Sequence, residues 1–252
     1  MFLLQQYLVI DLSSGSSSSK YPVTYMSKPP SGGFNVDAYK TTKLVMRRID
    51  PGTYKMGGSV STTITRPFYI GLFEVTQKQW SLVTGSNPAH DCGDGDTYPV
   101  YNVSYNAIRG SSNGAKWPSS SAVDSSSFLG KLRARTGIDF DLPTEAQWEY
   151  ACRAGTTTTY YWGDSMNGNY AWYADNSSSK THPVGGKTAN AWGLYDMSGN
   201  VCEWCLDWMG SLVGGSDPKG NAEGTSRVLR GGYWDSSAYS CPSFIRTSRT
   251  IA

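Results

Sequence analysis

The 252-residue chain carries 22 Lys and Arg against 20 Asp and Glu, a formal net charge of +2, which leaves no basic footprint for nucleic acid or an anionic membrane. Charged residues make up only 17%, while 17 tyrosines and 9 tryptophans suit a loop-rich α+β domain whose aromatic side chains bridge core and surface. No stretch approaches the roughly 18 apolar residues of a membrane span, and Met1-Phe2-Leu3-Leu4, interrupted by Gln5-Gln6, is too short for a signal peptide.

Residues 1–40 read as an N-terminal extension, with a strand over Tyr7–Leu12 and a flexible serine-rich turn over Ser13–Ser19. The main domain, residues 41–252, opens with a strand over Leu44–Ile49. Asp50-Pro51-Gly52 turns the chain, and the run from Thr53 to Gly58 is expected to return as its hairpin partner. Arg66–Thr76 reads as a further strand leading into a helix capped by Thr76 and stopped at Gly85. A loop follows to Pro99, and Ser104–Ile108 opens a short helix. Ala122–Thr136 reads as a helix with Phe128, Leu129 and Leu132 on one face. Thr144 and Gln147 form a capping box for the next helix, whose apolar face holds Ala146, Tyr150 and Ala151. From Gly155 onward the pattern is turns and short strands, without an internal repeat or a linker between two cores, so a single domain is expected.

The five cysteines, Cys92, Cys152, Cys202, Cys205 and Cys241, are an odd number, so at least one is unpaired or intermolecular. Cys202-x-x-Cys205 invites a zinc or redox reading. Zinc needs two more ligands at matching spacing, and the sequence has only His90 and His182, far apart, and no second CxxC. Cysteines packed as small apolar residues are the simpler expectation.

Five motifs occur in order: FYIGLFEVTQKQW, YPVYNVSYNAI, LPTEAQWEYACRAGT, GLYDMSGNVCEW and RVLRGGYW. Together they resemble the formylglycine-generating-enzyme/sulfatase-modifying-factor family over roughly Leu44 to Arg246. The resemblance implies a C-type-lectin-like α+β fold with little regular secondary structure. It also implies a structural calcium ion held by the carboxylates of Asp196 and Glu203 and the backbone carbonyls of Gly199 and Val201, a hard-oxygen set of the kind calcium takes. The plainer alternative has Asp196 capping a turn and Glu203 pairing with an arginine.

The family's enzymes use two cysteines near the C-terminus as a copper site, because soft thiolates favour Cu(I). The matching positions here are Ser236 and Cys241, and a serine hydroxyl is no substitute for a thiolate. The family's iron-dependent branch relies on a histidine-rich site, and this chain has two histidines. A copper oxidase acting on protein cysteine, with Cys241 as its surviving residue, is therefore the alternative and not the leading expectation.

The run from Gly231 to Ala252 interleaves aromatic and small hydroxyl residues, a combination that supplies rigid contact area and adaptable hydrogen bonding. It resembles the variable region of proteins diversified by retroelements, including those of treponemes. The frame is Arg230-Gly231-Gly232, Trp234, Ala238, Cys241 and Arg246. Tyr233, Asp235, Ser236, Ser237, Tyr239, Ser240, Phe244, Ile245, Thr247 and Ser248 fill the variable slots and are the expected ligand-binding residues. Trp234 is expected to pack beneath them, with Arg230 and Arg246 as anchors. The expected function is a non-enzymatic, surface-displayed protein, cell-surface or extracellular and compatible with a monomer, that binds a protein or glycan ligand. A calcium-dependent sugar-binding lectin is a weaker reading, since no Glu-Pro-Asn or Gln-Pro-Asp triplet is present.

Overall fold

The computed structural model describes residues 4–252; the first three residues of the leader reading lie outside them. In chain order the described residues form β1 (Tyr7–Asp11), β2 (Val23–Met26), β3 (Lys43–Ile49), β4 (Gly52–Met56), β5 (Val60–Ile64), β6 (Phe68–Gly71), α1 (Gln77–Thr84), α2 (Tyr105–Arg109), α3 (Phe128–Thr136), α4 (Glu145–Arg153), β7 (Glu203–Trp208), β8 (Gly215–Ser216), β9 (Arg227–Arg230) and β10 (Thr247–Arg249). The strands make three small sheets, ordered β2-β1-β3-β6, β10-β9-β7 and β4-β5-β8. This is the mixed α+β architecture with little regular structure that the sequence implies.

β1 buries four successive side chains, as a strand covered on both faces does. Tyr7 and Val9 belong to one core, which also holds Val45, Met56, Trp148 and Val228. Leu8 and Ile10 belong to a second, where Trp80 stacks on Phe128 with ring centroids 4.7 Å apart. The stretch read as an extension therefore supplies the wall between the two cores, paired on one side to β2 and on the other to β3.

That pairing corrects the expected hairpin. Both edges of β3 are taken, by β1 and β6, so β4 turns away and pairs with β5 instead, Thr53 opposite Thr63. The strand expected over Arg66–Thr76 is confined to Phe68–Gly71. The helix expected from Ala122 begins only at Phe128, after Ser127, whose hydroxyl accepts the Gly130 N–H at 3.1 Å. Asp124 holds the preceding residues as a loop, its carboxylate accepting the N–H groups of Ser112 and Asn113 at 2.9 Å each. Such local bonds compete with helix formation. The caps at Thr76 and Thr144 are both complete capping boxes, and Ser104 caps α2.

Between α4 and β7 lie 49 residues without a helix or strand, held by side chains bonding to backbone. Asn190 donates to the Ala151 and Cys152 carbonyls at 2.8 and 3.1 Å, and the Tyr161 hydroxyl reaches the carbonyls of Tyr170 and Thr188. Among the described residues no helix is long and apolar enough to cross a membrane.

Candidate functional site

The segment predicted to bind ligand leaves β9 at Arg230 and re-enters a sheet at β10, whose Thr247 pairs with Leu229. Both ends are tied to α4. Arg230, fully buried, ion-pairs with Glu149 and reaches Glu145 at 3.4 Å. Burial works against its charge, but Glu149 and Glu145 more than offset this and raise its pKa above the usual value. Arg246 grips Glu145 in a two-pronged pair at 2.6 and 2.7 Å, geometry that guanidinium and carboxylate match well. Arg230 also donates to the Ile245 carbonyl at 2.5 Å, closing the loop on itself.

Backbone bonds set the path between those anchors. Gly231 and Gly232 have φ of 92° and 74°, and a Cβ on Gly232 would stand 2.9 Å from the Cys241 sulfur. The Gly231 carbonyl accepts the Gly199 N–H at 2.9 Å, and the Trp234 N–H donates to the Asn200 carbonyl at 2.9 Å. The Ser236 carbonyl accepts from Ala174 at 3.0 Å, the Ser243 N–H donates to the Thr159 carbonyl at 3.0 Å, and the Tyr160 hydroxyl donates to the Ala238 carbonyl at 2.8 Å. On the segment's side these bonds are all made by its backbone.

Seven of the ten expected binding residues, Tyr233, Asp235, Ser237, Tyr239, Ser240, Phe244 and Thr247, are exposed, with Tyr239 reaching 87%. Ile245 and Ser248 are half-buried, the Ser248 hydroxyl lying 3.0 Å from that of Ser226. Ser236 departs from the expectation. It is buried, and its hydroxyl accepts the Tyr233 N–H at 3.0 Å, so it shapes the turn and is withheld from a ligand. Trp234 is only half-buried. The indole beneath the segment is Trp148, fully buried, 3.4 Å from where a Gly231 Cβ would stand and under the Arg230 guanidinium at 5.1 Å.

Sequence reading missed Trp148, Glu145 and Glu149 as partners of this segment. A signal existed: Glu145 and Glu149 are four residues apart on the helix that carries the apolar Ala146, Trp148 and Ala151, and a carboxylate on a buried helical face needs a cation.

All five cysteines are free, and Cys152, Cys205 and Cys241 are buried. The side chains of Ser236 and Cys241 both lie against Gly232, so the fold keeps the two positions of the family's copper site together. The residues do not fit copper. One is an alcohol already bonded inward, which leaves Cys241 as a lone thiol where a two-thiolate site needs a pair.

The Asp196–Glu203 loop presents a different case. Asp196, Gly199 and Asn200 have φ of 55°, 80° and 60°, a run of left-handed conformations that curls the backbone tightly. One oxygen of Asp196 accepts the Gly185 N–H at 2.6 Å, and the other is buried without a partner. Burial pushes the Asp196 carboxyl up to about 6 and that of Glu203 to about 7, and burial, Asp196 and Glu203 together raise Glu74. Among the described residues no three His, Cys, Asp or Glu side chains converge to hold a metal ion. An orphaned carboxylate oxygen in a tight loop, with Glu203 nearby, nevertheless fits a cation completed by carbonyls and water.

Known proteins resemble this chain in sequence and in fold. The Sulfatase-modifying factor enzyme 1-like domain matches residues 34–251. The chain is 33% identical over 220 residues to the chaperone protein LppX of Paenibacillus barcinonensis, covering 73% of this chain and 75% of that one. It is 28% identical over 223 residues to the formylglycine-generating enzyme of Thermomonospora curvata, covering 79% of this chain and 63% of the enzyme. Among solved structures, Treponema denticola variable protein 1 superposes with a TM-score of 0.67 at 30% identity, covering 83% of this chain and 91% of that one. The chain spans only 16% of another relative, the serine/threonine-protein kinase pkn1 of Chlamydia caviae. The chain belongs to the formylglycine-generating-enzyme/sulfatase-modifying-factor family, with its C-type-lectin-like fold, and within it resembles a treponeme variable protein.

Proposed function

We propose that this protein is a non-enzymatic ligand-binding member of its family, displayed at the cell surface or outside the cell, whose segment from Tyr233 to Ser248 is a diversified site for a protein or glycan. The observation that carries this reading is the division of labour in the segment. Its path is held by backbone bonds and by Arg230 and Arg246, while seven of the ten side chains in its variable slots are exposed. A scaffold built in this way tolerates sequence change where recognition occurs. The likeness to a variable protein supports the reading. The absence of a second thiol beside Cys241 weighs against the copper oxidase that the enzyme relatives suggest.

Substituting Tyr233, Asp235, Ser237, Tyr239, Ser240 or Phe244 is expected to change unfolding free energy by no more than about 0.5 kcal/mol each, measured by denaturant titration. The decisive experiment is to sequence the same locus in sibling isolates. Variation confined to codons of the outward-facing positions, beside a near-copy of the 3′ end and a reverse transcriptase, supports diversified binding. An invariant 3′ end without such a template sinks it and returns the chain to the enzyme branch.

Within the same reading, Asp196 and Glu203, with the Gly199 and Val201 carbonyls, would hold calcium and pin the loop that supports Gly231 and Trp234. Calcium at a hundredfold excess over its Kd is expected to add about 2.7 kcal/mol of stability by linkage. Calorimetry with calcium and with a chelator checks this, and Asp196→Asn is expected to abolish the difference. Identical melting curves in both buffers would remove calcium from the account.

A further inference from the structure

A second concavity lies away from the variable segment. A cavity of about 490 Å³ opens between the β2-β1-β3-β6 sheet and the helices α1 to α3, and no residue beyond Trp204 lines it. Its walls include Leu44 and Met46 from β3, Trp80 from α1, Phe128 from α3, and Val103 and Trp204. Native interiors leave few voids larger than a water molecule, and apolar spaces do not hold ordered water well. This volume lies within the range of small-molecule sites, which are mostly apolar with a few placed polar groups.

The charged groups that line the cavity are Glu74, Asp139, Asp141 and Glu203, all acidic, with no lysine or arginine among them. Three are accounted for. The Glu74 oxygens accept from the Asn200 side chain at 2.6 Å and the Val201 N–H at 3.0 Å. Asp141 is paired with Arg109 and Arg133, and Asp139 is exposed to water. Glu203 remains, half-buried at the cavity wall, with the Trp148 indole N–H as its neighbouring donor and no ion-pair partner among the described residues. An anionic head group would meet only like charge. A cation would compete for Glu203 with the calcium proposed above and would itself need desolvation. A hydroxyl needs neither a counter-charge nor the displacement of an ion, since a carboxylate bound to calcium still accepts a hydrogen bond.

We propose that this cavity binds an uncharged single-chain amphiphile of the long-chain alcohol class, with its chain against the apolar walls and its hydroxyl at Glu203. No residue of the variable segment lines this site, although Glu203 lies opposite the anchor Arg230 in the pairing of β7 with β9.

Trp80 and Trp204 make the test direct, because a bromine atom on a bound chain quenches nearby indoles. Titrating the whole protein with ω-bromoundecanol is expected to give saturable quenching, reversed by unlabelled undecanol. ω-Bromoundecanoic acid is expected to bind at least roughly tenfold more weakly, a difference of about 1.4 kcal/mol. Val103→Phe, which narrows the cavity, is expected to abolish the quenching. Should that variant fail to fold, the alcohol-against-acid comparison on the unaltered protein decides by itself. Equal quenching by the acid, no saturable quenching by the alcohol, or quenching that persists in a folded Val103→Phe protein would each overturn the proposal. So would a dimer in light scattering that quenches only after dilution to monomer, since a second copy would then be the occupant.

Discussion

Glu149→Ala is expected to destabilise the protein by about 3–5 kcal/mol, the range for removing one partner of a buried ion pair. Glu149 is fully buried and serves three groups: the Arg230 guanidinium, Arg153 at 2.8 Å and the Gly57 N–H at 2.9 Å. Its loss leaves Arg153 without a carboxylate partner and Arg230 with only the longer Glu145 pair, so much of their desolvation is uncompensated. At this chain length the melting temperature should fall by roughly 10 °C, as read by calorimetry. Arg48→Ala provides the contrast. Arg48 pairs with Asp50, which is 62% exposed, and exposed pairs contribute about 0–1 kcal/mol. If the two variants melt alike, the α4 carboxylates do not anchor the variable segment, and the separation of frame from variable positions loses its physical basis.

Gly199→Ala should be nearly as damaging, by about 2–5 kcal/mol. The residue sits at φ 80°, and a Cβ there would stand 2.0 Å from the Trp172 carbonyl oxygen, a backbone atom with little room to move. The left-handed conformation contributes about 1–2 kcal/mol, and the remainder comes from forcing apart a packed contact. Gly155→Ala separates the two causes, because Gly155 has φ 92° with nothing within 4 Å of its added Cβ. Equal denaturant midpoints for the two variants would show that the Trp172 contact is soft. A large difference would locate the rigid joint on which both the calcium loop and the Gly231 carbonyl depend, since Gly199 donates to that carbonyl.

Local signals agree with the structure. Thr76 caps α1 as its sequence suggests, and Thr144 with Gln147 forms the expected capping box, because such a signal involves residues three apart. The apolar triad Phe128, Leu129 and Leu132 is buried as its spacing requires. The start of α3 was read too early because Asp124 looks like any polar helical residue until the N–H groups it captures are known. The β3–β4 hairpin failed for a different reason. A turn signal at Asp50–Gly52 states only that the chain bends, and the partner of β3 was decided by β1, which lies more than thirty residues upstream.

The candidate site divides along the same line. Its address, its glycine pair, its arginine anchors and the serine at the first cysteine position were all legible in the chain from Arg230 to Arg246, since each is a matter of residue type and order. Which slots face a ligand was not. Ser236 and Ser237 are chemically identical neighbours, yet one turns inward to the Tyr233 N–H and the other is exposed. The carboxylates that hold the anchors lie some eighty to a hundred residues away on α4, and the indole beneath the segment is Trp148 and not the nearby Trp234. Sequence alone determined the family, the caps and the chemistry available to this protein, because those follow from local residue identity. Tertiary structure alone decided pairing, exposure and charge compensation, because these depend on which distant groups share a volume from which water is excluded.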